Sequence, residues 1–541
     1  MRKHTVFVLT VICTMLLMVA CSSDSENNQD QSNDTNNTEA SEVPVNKEGF
    51  PIVDEEITLS MMAPGASEAP EWKDIPTLQE YSEMTNINFD YNTPPIDDFQ
   101  TNLNLAFASG DLPDIIFAAG SDNLTPGMEV DYGEQGMLLP LEDLIEAYAP
   151  NIKKLLEDRP DIEKSITTID GHIYALPNVS AVHTSSWSGN LLWYNGQWLD
   201  ALDVKELPKT TDELYELLKR FRDEDPNGNG EADEIPLLDV KMQSSRHWFL
   251  GAFGMKEWGI EEVDGDVRYT PILDEYKEYL TYMNKLYEEE LLDPETFSQN
   301  DEQKRAKGQE NRVGLFPDWY SYFTTGENEE EAMNNPMFYP FTSHVSDEPV
   351  VIRSPGFGRG SFAISSENPN PEASIRWVDY FYSQEGNRFF HLGPEGYLWE
   401  WADEEEDEIV MLDIPEEYDT IEDYRAKLTP DYGIPTASLT QPIEGQEMTA
   451  FDEFIKSETE EKYEPYAEVP YPLVYLTSEE QKESDSIEVD LESYVEQMEA
   501  KFITGVEPLS EWDNYVETIE NMNIERYVEI YQDAYDRWVE S

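Results

Sequence analysis

Residues 103–121 read LNLAFASGDLPDIIFAAGS, and this stretch decides how the fold is interpreted. Its first half completes a helical pattern over residues 97–111, and its second half, LPDIIFAA, is typical of a buried strand. Upstream, residues 56–64 and 87–94 have strand patterns, with a helical pattern between them. Strand, helix, strand, helix and strand in that order predict an α/β lobe with a mainly parallel sheet.

Helical patterns recur along the rest of the chain. Thr210 and Glu213 form a predicted capping box in front of DELYELLKRF, whose leucines share one face with Phe221. Residues 276–297 have a similar periodicity, and the C-terminal WDNYVETIENMNIERYVEIYQDAYDRWV is interpreted as two helices. No internal repeat is visible.

The composition excludes two classes of partner. The 541 residues include 35 Lys and Arg against 115 Asp and Glu, a formal net charge of −80. Nucleic acids and anionic membrane surfaces need clustered basic side chains, so neither is expected as a partner. We interpret the charge as an adaptation for solubility in a salty or alkaline medium. The length predicts two lobes or domains.

Cysteine occurs only at Cys13 and Cys21, both close to the N-terminus. The rest of the sequence therefore offers no disulfide, no zinc–thiolate site and no cysteine nucleophile. Catalysis or metal binding through a cysteine thiolate is therefore not expected in the body of the protein.

The N-terminus has the layout of a bacterial export signal. A basic start and an apolar run over residues 6–20 precede Cys21, and MVAC resembles a lipobox with Met18 in place of the usual leucine. The resemblance implies a signal peptide over 1–20, lipidation of Cys21, and a protein anchored by lipid to the cell membrane on its extracellular side. Residues 21–50 are polar and acidic, which predicts a disordered tether. The alternatives are an ordinary secreted protein or a single N-terminal span.

Several segments together resemble one protein family. After LNLAFASGDLPDIIFAAGS come DGHIYALPNVS, LLWYNGQWLDALDVKELPKTTDEL, YKEYLTYMNKLYEEELLDPETFSQ, NPEASIRWVDYFYSQEGNRFFHLGPEGY and a C-terminal segment that starts KFITGVEPLSEW. In this order they resemble the extracellular solute-binding proteins (family 1) of bacterial ABC importers, over nearly all of residues 56–539. The chain resembles in particular the large oligosaccharide-binding lipoproteins that include the alginate-binding proteins, and more distantly maltose-binding protein.

The resemblance implies a periplasmic-binding-protein-like α/β fold, in which two lobes enclose a hinged ligand cleft and extra helices follow at the C-terminus. It places residues 51–175 with about 345–410 in the first lobe. Residues 176–344 with about 411–541 form the second lobe and the hinge-crossing C-terminal helices. The implied function is that of a substrate-binding lipoprotein, which captures an oligosaccharide and delivers it to the ABC permease in the membrane. We expect a monomer that performs no chemistry.

An acidic, glycine-rich loop, DEDPNGNGEADEIPL at residues 223–237, has the alternating oxygen ligands of calcium loops. A register that starts at Asp223 matches the EF-hand expression, but Gly230 then takes an apolar position and Pro236 takes the start of the second helix. A register that starts at Asp225 resembles the loop of the alginate-binding subgroup, where structural Ca²⁺ lies away from the ligand. Its ligands are Asp225, Asn227, Asn229, the Glu231 carbonyl, Asp233 and Glu234. The alternative is a turn that carries no metal.

Sugar clefts use aromatic rings as platforms for pyranose faces, with polar side chains that bond the hydroxyl groups. The chain has 12 Trp and 30 Tyr, most of which are expected in the core. Similarity to maltose-binding protein implies that Trp319 and Tyr320, within NRVGLFPDWYSYF, and Trp248 line the cleft. Trp187 is expected near the crossing between the lobes, and Arg353 is expected to meet a carboxylate or a hydroxyl group.

Further cleft candidates follow predicted strands. Glu71 and Trp72 follow the first strand and Asp122 follows DIIFAAGS, at the edge where α/β proteins bind ligands. Trp399 follows GPEGYL and is expected at the mouth of the cleft. Three other tryptophans are expected to pack helices instead; they are Trp198, Trp377 and Trp538.

Two other functions share these features. A secreted glycoside hydrolase would need two carboxylates about 5 or 6.5–9.5 Å apart, and with 115 acids the sequence pairs are uninformative. G-x-S-x-G and H-E-x-x-H are absent. No metal-like spacing joins the six histidines, His4, His172, His183, His247, His344 and His391. The third alternative is a surface sensor or peptide-binding lipoprotein of the same fold. The net charge slightly favours a neutral sugar over an anionic one.

Overall fold

The computed structural model describes residues 43–65, 69–403, 408–418, 421–431 and 433–540. The predicted signal peptide, the lipidation of Cys21 and residues 21–42 of the predicted tether lie outside these residues. The last part of the predicted tether, residues 43–50, is ordered instead, because Val45 pairs with Val53 and both Val43 and Val45 pack on a hydrophobic core. All the helices among the described residues are too short or too polar to span a lipid bilayer.

Short strands alternate with helices along the described chain. The strands are β1 (Ile57–Met62), β2 (Ile87–Asn92), β3 (Ile115–Phe117), β4 (Ala175–Ser180), β5 (Leu191–Tyr194), β6 (Ile235–Leu237), β7 (Ile260–Val263), β8 (Asp266–Tyr269), β9 (Val313–Asp318), β10 (Val351–Ile352), β11 (Phe357–Ile364), β12 (Trp399–Asp403), β13 (Glu408–Met411), β14 (Leu439–Thr440) and β15 (Ala467–Glu468).

The helices are α1 (Pro76–Thr85), α2 (Ile96–Ser109), α3 (Pro126–Glu134), α4 (Glu142–Tyr148), α5 (Pro150–Asp158), α6 (Pro160–Ile166), α7 (Gly196–Ala201), α8 (Thr211–Asp223), α9 (Arg246–Gly251), α10 (Asp274–Glu288), α11 (Asp301–Gln309), α12 (Ser321–Thr325), α13 (Glu329–Ala332), α14 (Pro371–Asp379), α15 (Gln384–Leu392), α16 (Ile421–Leu428), α17 (Ala450–Lys462), α18 (Ser478–Ile503), α19 (Trp512–Glu520) and α20 (Ile524–Glu540).

Helix α8 illustrates how local sequence sets a helix end. Thr210 is its N-cap, and the hydroxyl oxygen accepts the backbone N–H of Glu213 at 3.2 Å. The Glu213 carboxylate accepts the N–H of Lys209 at 2.8 Å. The bond from the Glu213 N–H to Thr210 in the predicted capping box is therefore present. The reciprocal bond of the Glu213 carboxylate goes to Lys209, the residue before the N-cap, instead of to Thr210. The predicted apolar face is buried, because it packs onto the neighbouring core.

The largest sheet has the strand order β14-β4-β11-β3-β1-β2. β1 is parallel to β2 and β3, with Ile57 opposite Ile87 and Met62 opposite Ile116. β11 is antiparallel to both β3 and β4. All three residues of β3 are buried, since helices cover both faces of this sheet. The predicted α/β class is confirmed, and we call this sheet with its helices the first lobe.

The second lobe is built on a smaller sheet of order β5-β9-β6. β9 is parallel to β6 and antiparallel to β5, and every residue of β5 and β9 is buried. The core of this lobe includes Trp193 and Trp198 and continues into the C-terminal helices through Leu491 and Tyr515. Each lobe thus has a hydrophobic core of its own.

Three stretches of chain connect the two lobes, namely residues 181–190, 353–356 and 441–449. A backbone hydrogen bond joins the first two of them, and another joins the first to the end of β14, from which the third begins. The Ala181 N–H donates to the Thr440 carbonyl at 2.7 Å, and the Ser354 N–H donates to the Ser186 carbonyl at 2.8 Å. The crossings therefore run side by side as one bundle between the lobes.

Three lobe boundaries differ from the expected ones. β10 pairs with β15 and lies in the core of the second lobe, so that lobe continues to residue 352, beyond the expected boundary at 344. β4 continues to residue 180, beyond the expected boundary at 175. α16 packs against α1 and α15, and β14 joins β4 in the first sheet, so residues 421–428 and 439–440 lie with the first lobe although they were expected in the second. The sequence did not indicate β14, because a strand of two residues is too short to have a detectable periodicity.

The C-terminal helices belong mainly to the second lobe. α18 packs along α10 and α20, and α20 packs against β8. The N-terminal end of α18 contacts α3 of the first lobe, so this helix also spans the junction between the lobes. Trp198 and Trp377 are buried in the two cores, and Trp538 lies under the Lys164 ammonium at 4.4 Å from its ring centroid.

We expect Trp377→Ala to lower the free energy of unfolding of the first lobe by about 3–5 kcal/mol, because the truncation leaves a cavity. The ring of Trp377 is 1% exposed, with centroids of Phe381 and Phe117 at 5.0 and 5.4 Å. Urea unfolding measures the loss. Val489→Ala is the control, since its side chain is 71% exposed and the change should stay within about 0.5 kcal/mol. Equal effects of the two variants would contradict this core.

Candidate functional site

Two aromatic segments that are distant in sequence meet where the chain crosses between the lobes. Trp187 lies in the first crossing stretch, and its ring centroid is 5.2 Å from that of Trp319 and 5.9 Å from that of Tyr320. Trp319 and Tyr320 directly follow β9 of the second lobe. Trp187 is buried, whereas Trp319 is 37% exposed. The structure thus brings three predicted cleft residues together and leaves part of the Trp319 ring open to solvent.

Asp318 holds the turn that carries these rings. One carboxylate oxygen accepts the backbone N–H of Trp319 at 2.9 Å, and the other accepts the Thr324 hydroxyl at 2.7 Å. The ammonium of Lys304 lies 3.3 Å from the same carboxylate, and both side chains are buried. A buried carboxylate that is paired and hydrogen-bonded fixes its surroundings, so the direction of Trp319 is set by the protein.

Three further aromatic residues extend this surface. Tyr320 stacks near Tyr322 and Phe323 of α12, with centroids at 5.5 and 6.1 Å, and Phe451 of α17 lies 5.4 Å from Tyr320. Phe323 is 43% exposed. We call Trp319, Tyr320, Tyr322 and Phe323 the aromatic patch. The sequence WYSYF carried a signal for Tyr322 and Phe323, whereas nothing in the sequence connected Phe451 with this place.

Acidic side chains surround the aromatic patch. Burial raises the pKa of the Tyr320 hydroxyl, and the carboxylates of Asp452, Glu329 and Glu422 raise it further. Glu422 lies on α16, which packs on the first lobe, whereas the aromatic patch belongs to the second lobe. An acidic side chain of the first lobe therefore acts on the hydroxyl of Tyr320.

Three predicted platform residues are buried instead of lining a surface. Trp72, Trp248 and Trp399 are 3%, 1% and 5% exposed. Each indole N–H donates to a backbone carbonyl, and the acceptors are Pro64 at 3.2 Å, Asn190 at 3.4 Å and Gly393 at 2.9 Å. Their ring faces pack against other side chains, so we leave them out of the ligand-contacting set. The physical reason is that an aromatic residue beside a strand end can fill the core as readily as a cleft.

The predicted polar contacts have different surroundings. Glu71 is exposed and forms an ion pair with Lys73, and Asp122 is exposed in the turn after β3. Arg353 lies in the second crossing stretch, where its guanidinium is 2.5 Å from a carboxylate oxygen of Glu464. The charge of Arg353 is therefore already balanced within the protein by Glu464.

The 223–237 loop folds around its own acidic side chains. Asp225 has a φ of +49°, and its carboxylate accepts the Gly230 N–H at 3.2 Å. Asn229 donates through its side-chain amide to Asp233 at 2.9 Å and accepts the Glu231 N–H at 2.6 Å. The predicted alternation thus produces a closed loop in which carboxylates and carboxamides converge.

The oxygen atoms of this loop are of the types that bind calcium. Glu234 Oε1 is buried without a hydrogen-bond partner, and burial with the nearby Asp233 and Asp225 raises the pKa of the Glu234 carboxyl. Arg312 is the cation that now pairs with Asp233, at 3.0 Å. Within the described ranges, no three His, Cys, Asp or Glu side chains form a metal-binding group. A calcium ion would therefore also need carboxamide and carbonyl oxygens, ligands that Ca²⁺ accepts.

Comparison with known proteins identifies the family. The family described as bacterial extracellular solute-binding protein matches residues 66–388. The chain belongs to this family. The resemblance inferred from the ordered segments is confirmed, and the family is one of binding proteins rather than enzymes.

One relative spans almost the whole solute-binding protein. The fructooligosaccharide ABC transporter substrate-binding protein FusA of Streptococcus pneumoniae serotype 4 is 30% identical over 519 residues, which cover 90% of this chain and 92% of FusA. Solved structures of S. pneumoniae FusA, one with kestose and one of an EF-hand mutant with fructo-nystose, each match with a TM-score of 0.73 at 28% identity. They cover 89% of this chain and 99% of FusA. Alginate-binding protein AlgQ2 without calcium ion has the same fold, with a TM-score of 0.66 at 23% identity over 90% of this chain and 99% of AlgQ2.

We expect Thr459→Val to destabilise this solute-binding protein by about 1–3 kcal/mol, because it leaves a buried indole N–H without an acceptor. The Trp187 indole donates to the Thr459 hydroxyl at 3.2 Å, and that hydroxyl donates to the Ile455 carbonyl at 2.8 Å. Chemical unfolding and near-ultraviolet circular dichroism measure the effect. Thr459→Ser retains the hydroxyl and is the matched control. A Val variant as stable as the Ser variant would show that this bond does not hold Trp187.

Proposed function

We propose that this protein is the oligosaccharide-binding component of an ABC importer. It captures its ligand between the lobes and delivers it to the membrane permease. The observation that carries this proposal is the aromatic patch, which has partly exposed rings and packs against Trp187 of the first crossing stretch. Apolar sugar faces stack on such rings, and rotation of the lobes closes the cleft over the bound ligand.

The relatives support a carbohydrate ligand. FusA is named for fructooligosaccharides, and its solved structures contain kestose or fructo-nystose. A second relative, from Bacillus subtilis, is named a polygalacturonan/rhamnogalacturonan-binding protein and is 28% identical over 272 residues, which cover 50% of this chain and 51% of that protein. The ligands in these two names differ in charge, because fructooligosaccharides are neutral and polygalacturonan is anionic. The charged side chains of this chain therefore help to choose between the two classes of ligand.

The charges around the aromatic patch favour a neutral oligosaccharide. Asp452, Glu329 and Glu422 act on the Tyr320 hydroxyl, and Arg353 is paired with Glu464. A uronic acid would bring another carboxylate into an already acidic space, where like charges repel. Hydroxyl groups of a neutral sugar can donate hydrogen bonds to the same carboxylates. We therefore propose a neutral oligosaccharide of the fructooligosaccharide class.

The remaining parts of the proposal concern the place of the protein in the cell. The apolar N-terminal run that ends at Cys21 supports export and lipid anchoring on the extracellular side of the cell membrane. The acidic segment after it would hold the lobes away from the bilayer as a tether. We propose that the protein works as a monomer, delivers its ligand unchanged, and meets its permease through the ligand-bound form.

Trp319→Ala should weaken binding of kestose or nystose by about 10- to 100-fold, the loss typical of an aromatic anchor. Isothermal titration calorimetry in the presence of calcium measures the dissociation constant. Trp319→Phe keeps an aromatic face and should lose less. Because Trp319 is partly exposed, neither variant should change the melting temperature of the ligand-free protein appreciably.

A panel of ligands tests the function itself. Wild-type protein should bind kestose or nystose more tightly than trigalacturonate, and mass spectrometry should recover the sugar intact. A bound ligand at 100 times its dissociation constant adds about 2.7 kcal/mol of stability, which a thermal shift also detects. Recovery of cleaved sugar would replace the transport proposal by hydrolysis. Binding of no sugar at all would favour a peptide ligand or a sensor.

We also propose that the 225–234 loop binds one structural Ca²⁺. The unpartnered Glu234 Oε1, the oxygen-only donor set and the EF-hand mentioned for the FusA mutant support it. When bound, the ion would neutralise the carboxylates, which lie close enough to repel one another. The register that begins at Asp225 is retained.

Removal of calcium with EDTA should lower the melting temperature by several degrees, because binding to the folded state stabilises it by mass action. Asp225→Asn should weaken this response by removing one carboxylate. Asp264→Asn is the matched control, since Asp264 also has a positive φ in a turn but lies between β7 and β8. An identical melt with and without EDTA would contradict the calcium site.

A further inference from the structure

The two lobes touch at a second place besides the crossing bundle. The Tyr475 hydroxyl donates to Glu129 Oε2 on α3 of the first lobe at 2.7 Å. Arg359 of β11 donates through Nη1 to the Val474 carbonyl at 2.9 Å, and its guanidinium lies 4.4 Å from the centroid of the Tyr475 ring. We call Glu129, Arg359 and Tyr475 the latch. It joins an acid and a base of the first lobe to one tyrosine from the C-terminal part of the chain.

Tyr475 moves with the second lobe because its neighbours in sequence pack there. Val474 and Leu476 form a small hydrophobic cluster with Ile530 and Ala534 of α20. α20 packs against β8, and α18, which starts just after this segment, packs along α10. Rotation of the second lobe about the crossings therefore carries Tyr475 with it. The contacts of the latch must therefore change when the lobes move.

Glu129 has an unusual environment for a carboxyl group. It is 0% exposed, and its Oε1 is buried without a hydrogen-bond partner. Burial raises the pKa of Glu129 to about 7, while Arg359 and the Tyr475 hydroxyl act in the opposite direction. The carboxyl is therefore close to half protonated in a neutral medium, although an exposed glutamate would be fully ionised.

The groups that face Glu129 are few. Arg359 comes from β11, and Tyr475, whose own pKa is raised well above 10 by burial, comes from the segment before α18. On α3 itself, Asp131 is bound by the hydroxyl of Ser478 at the start of α18. Arg359 also donates to the Ser165 carbonyl of α6 at 3.4 Å. Among the described residues, Glu129 is thus the latch group that titrates near neutral pH.

We propose that the latch is a proton-sensitive brake on lobe rotation, which is tight while Glu129 is protonated and loosens when Glu129 ionises. An ionised carboxylate is poorly stabilised in the closed latch, where one oxygen has no partner. Separation of Tyr475 from α3 admits water to the carboxylate, so ionisation favours the open latch. Because capture of a ligand between two lobes requires their rotation, this brake makes that rotation depend on the pH outside the cell. The inference does not depend on which ligand the cleft takes.

The sign and size of the effect follow from linkage. The closed latch holds the proton more tightly than the open latch, so a rise in pH shifts the equilibrium towards opening. If the pKa falls from about 7 in the closed latch to the ordinary value of 4.5 in the open latch, the ratio of open to closed increases about tenfold between pH 6 and pH 8.5. Above pH 8.5 little further change remains.

Hydrogen exchange of the ligand-free protein tests this proposal. Peptides that cover residues 126–134 and 471–477 are followed by mass spectrometry at pH 6 and pH 8.5, in wild type and in Glu129→Gln. Comparison of the two proteins at the same pH cancels the intrinsic pH dependence of exchange. The wild-type rate relative to the variant should rise about tenfold at pH 8.5, because glutamine cannot ionise. Glu134→Gln, an exposed acid on the same helix, should behave like wild type.

The same experiment can overturn the proposal in two ways. An equal ratio at both pH values would show that ionisation of Glu129 does not open the latch. An equal rise in peptides of α10 would show that the whole protein loosens rather than the latch. Tyr475→Phe gives an independent check if Glu129→Gln fails to fold. Loss of the hydroxyl removes a bond that favours the ionised carboxylate, so the midpoint of the pH response should move upwards. An unchanged or lower midpoint would contradict the latch.

Discussion

Antiparallel pairing of β11 with β3 and β4 is the constraint on which the two-lobed arrangement depends. Phe362 of β11 lies opposite Phe117 of β3 and opposite Leu176 of β4. Both partner strands precede the second lobe in sequence, whereas β11 follows most of it. The chain must therefore return to the first lobe to complete its sheet. It crosses a third time after β14, and three crossings leave the C-terminal helices with the second lobe.

The crossings also connect the hinge with the surface that we propose for the ligand. Trp187 belongs to the first crossing, its indole N–H is held by Thr459, and its ring packs edge-on against Trp319. A sugar that stacks on the aromatic patch would therefore contact Trp319, whose ring packs against Trp187 in the first crossing stretch. Such an arrangement lets a ligand bias lobe rotation through direct contact, because packed rings transmit small displacements.

Some of the few basic side chains of this acidic protein pair with glutamates that are buried in the core. Arg246 pairs with the buried Glu499 at 2.6 Å, and Arg268 pairs with the buried Glu261 at 2.5 Å. Burial of a carboxylate without such a partner is costly, so these pairs occur where acids enter the cores. Glu129 differs from them because Arg359 binds backbone carbonyls and the ring of Tyr475, and a proton can neutralise Glu129 instead. Within the part of the chain that the structure describes, Glu234 in the proposed calcium loop is the other acid with an unpartnered buried oxygen.

The sequence by itself determined the class of the fold, the family and the local structure of several elements. The strand and helix periods around residues 103–121, the N-cap at Thr210 and the turn-forming residues of the 223–237 loop act over a few neighbours, so they can be read without the fold. The tertiary structure alone decided which aromatic residues stay exposed, because Trp72 and Trp248 are covered by other side chains and Trp319 is not. It also decided the place of α16 and of β14, which is too short to have a period, and the contact between Glu129 and Tyr475, which are 346 positions apart. Burial, charge pairing and the approach of distant segments are properties of the assembled chain, and no local pattern contains them.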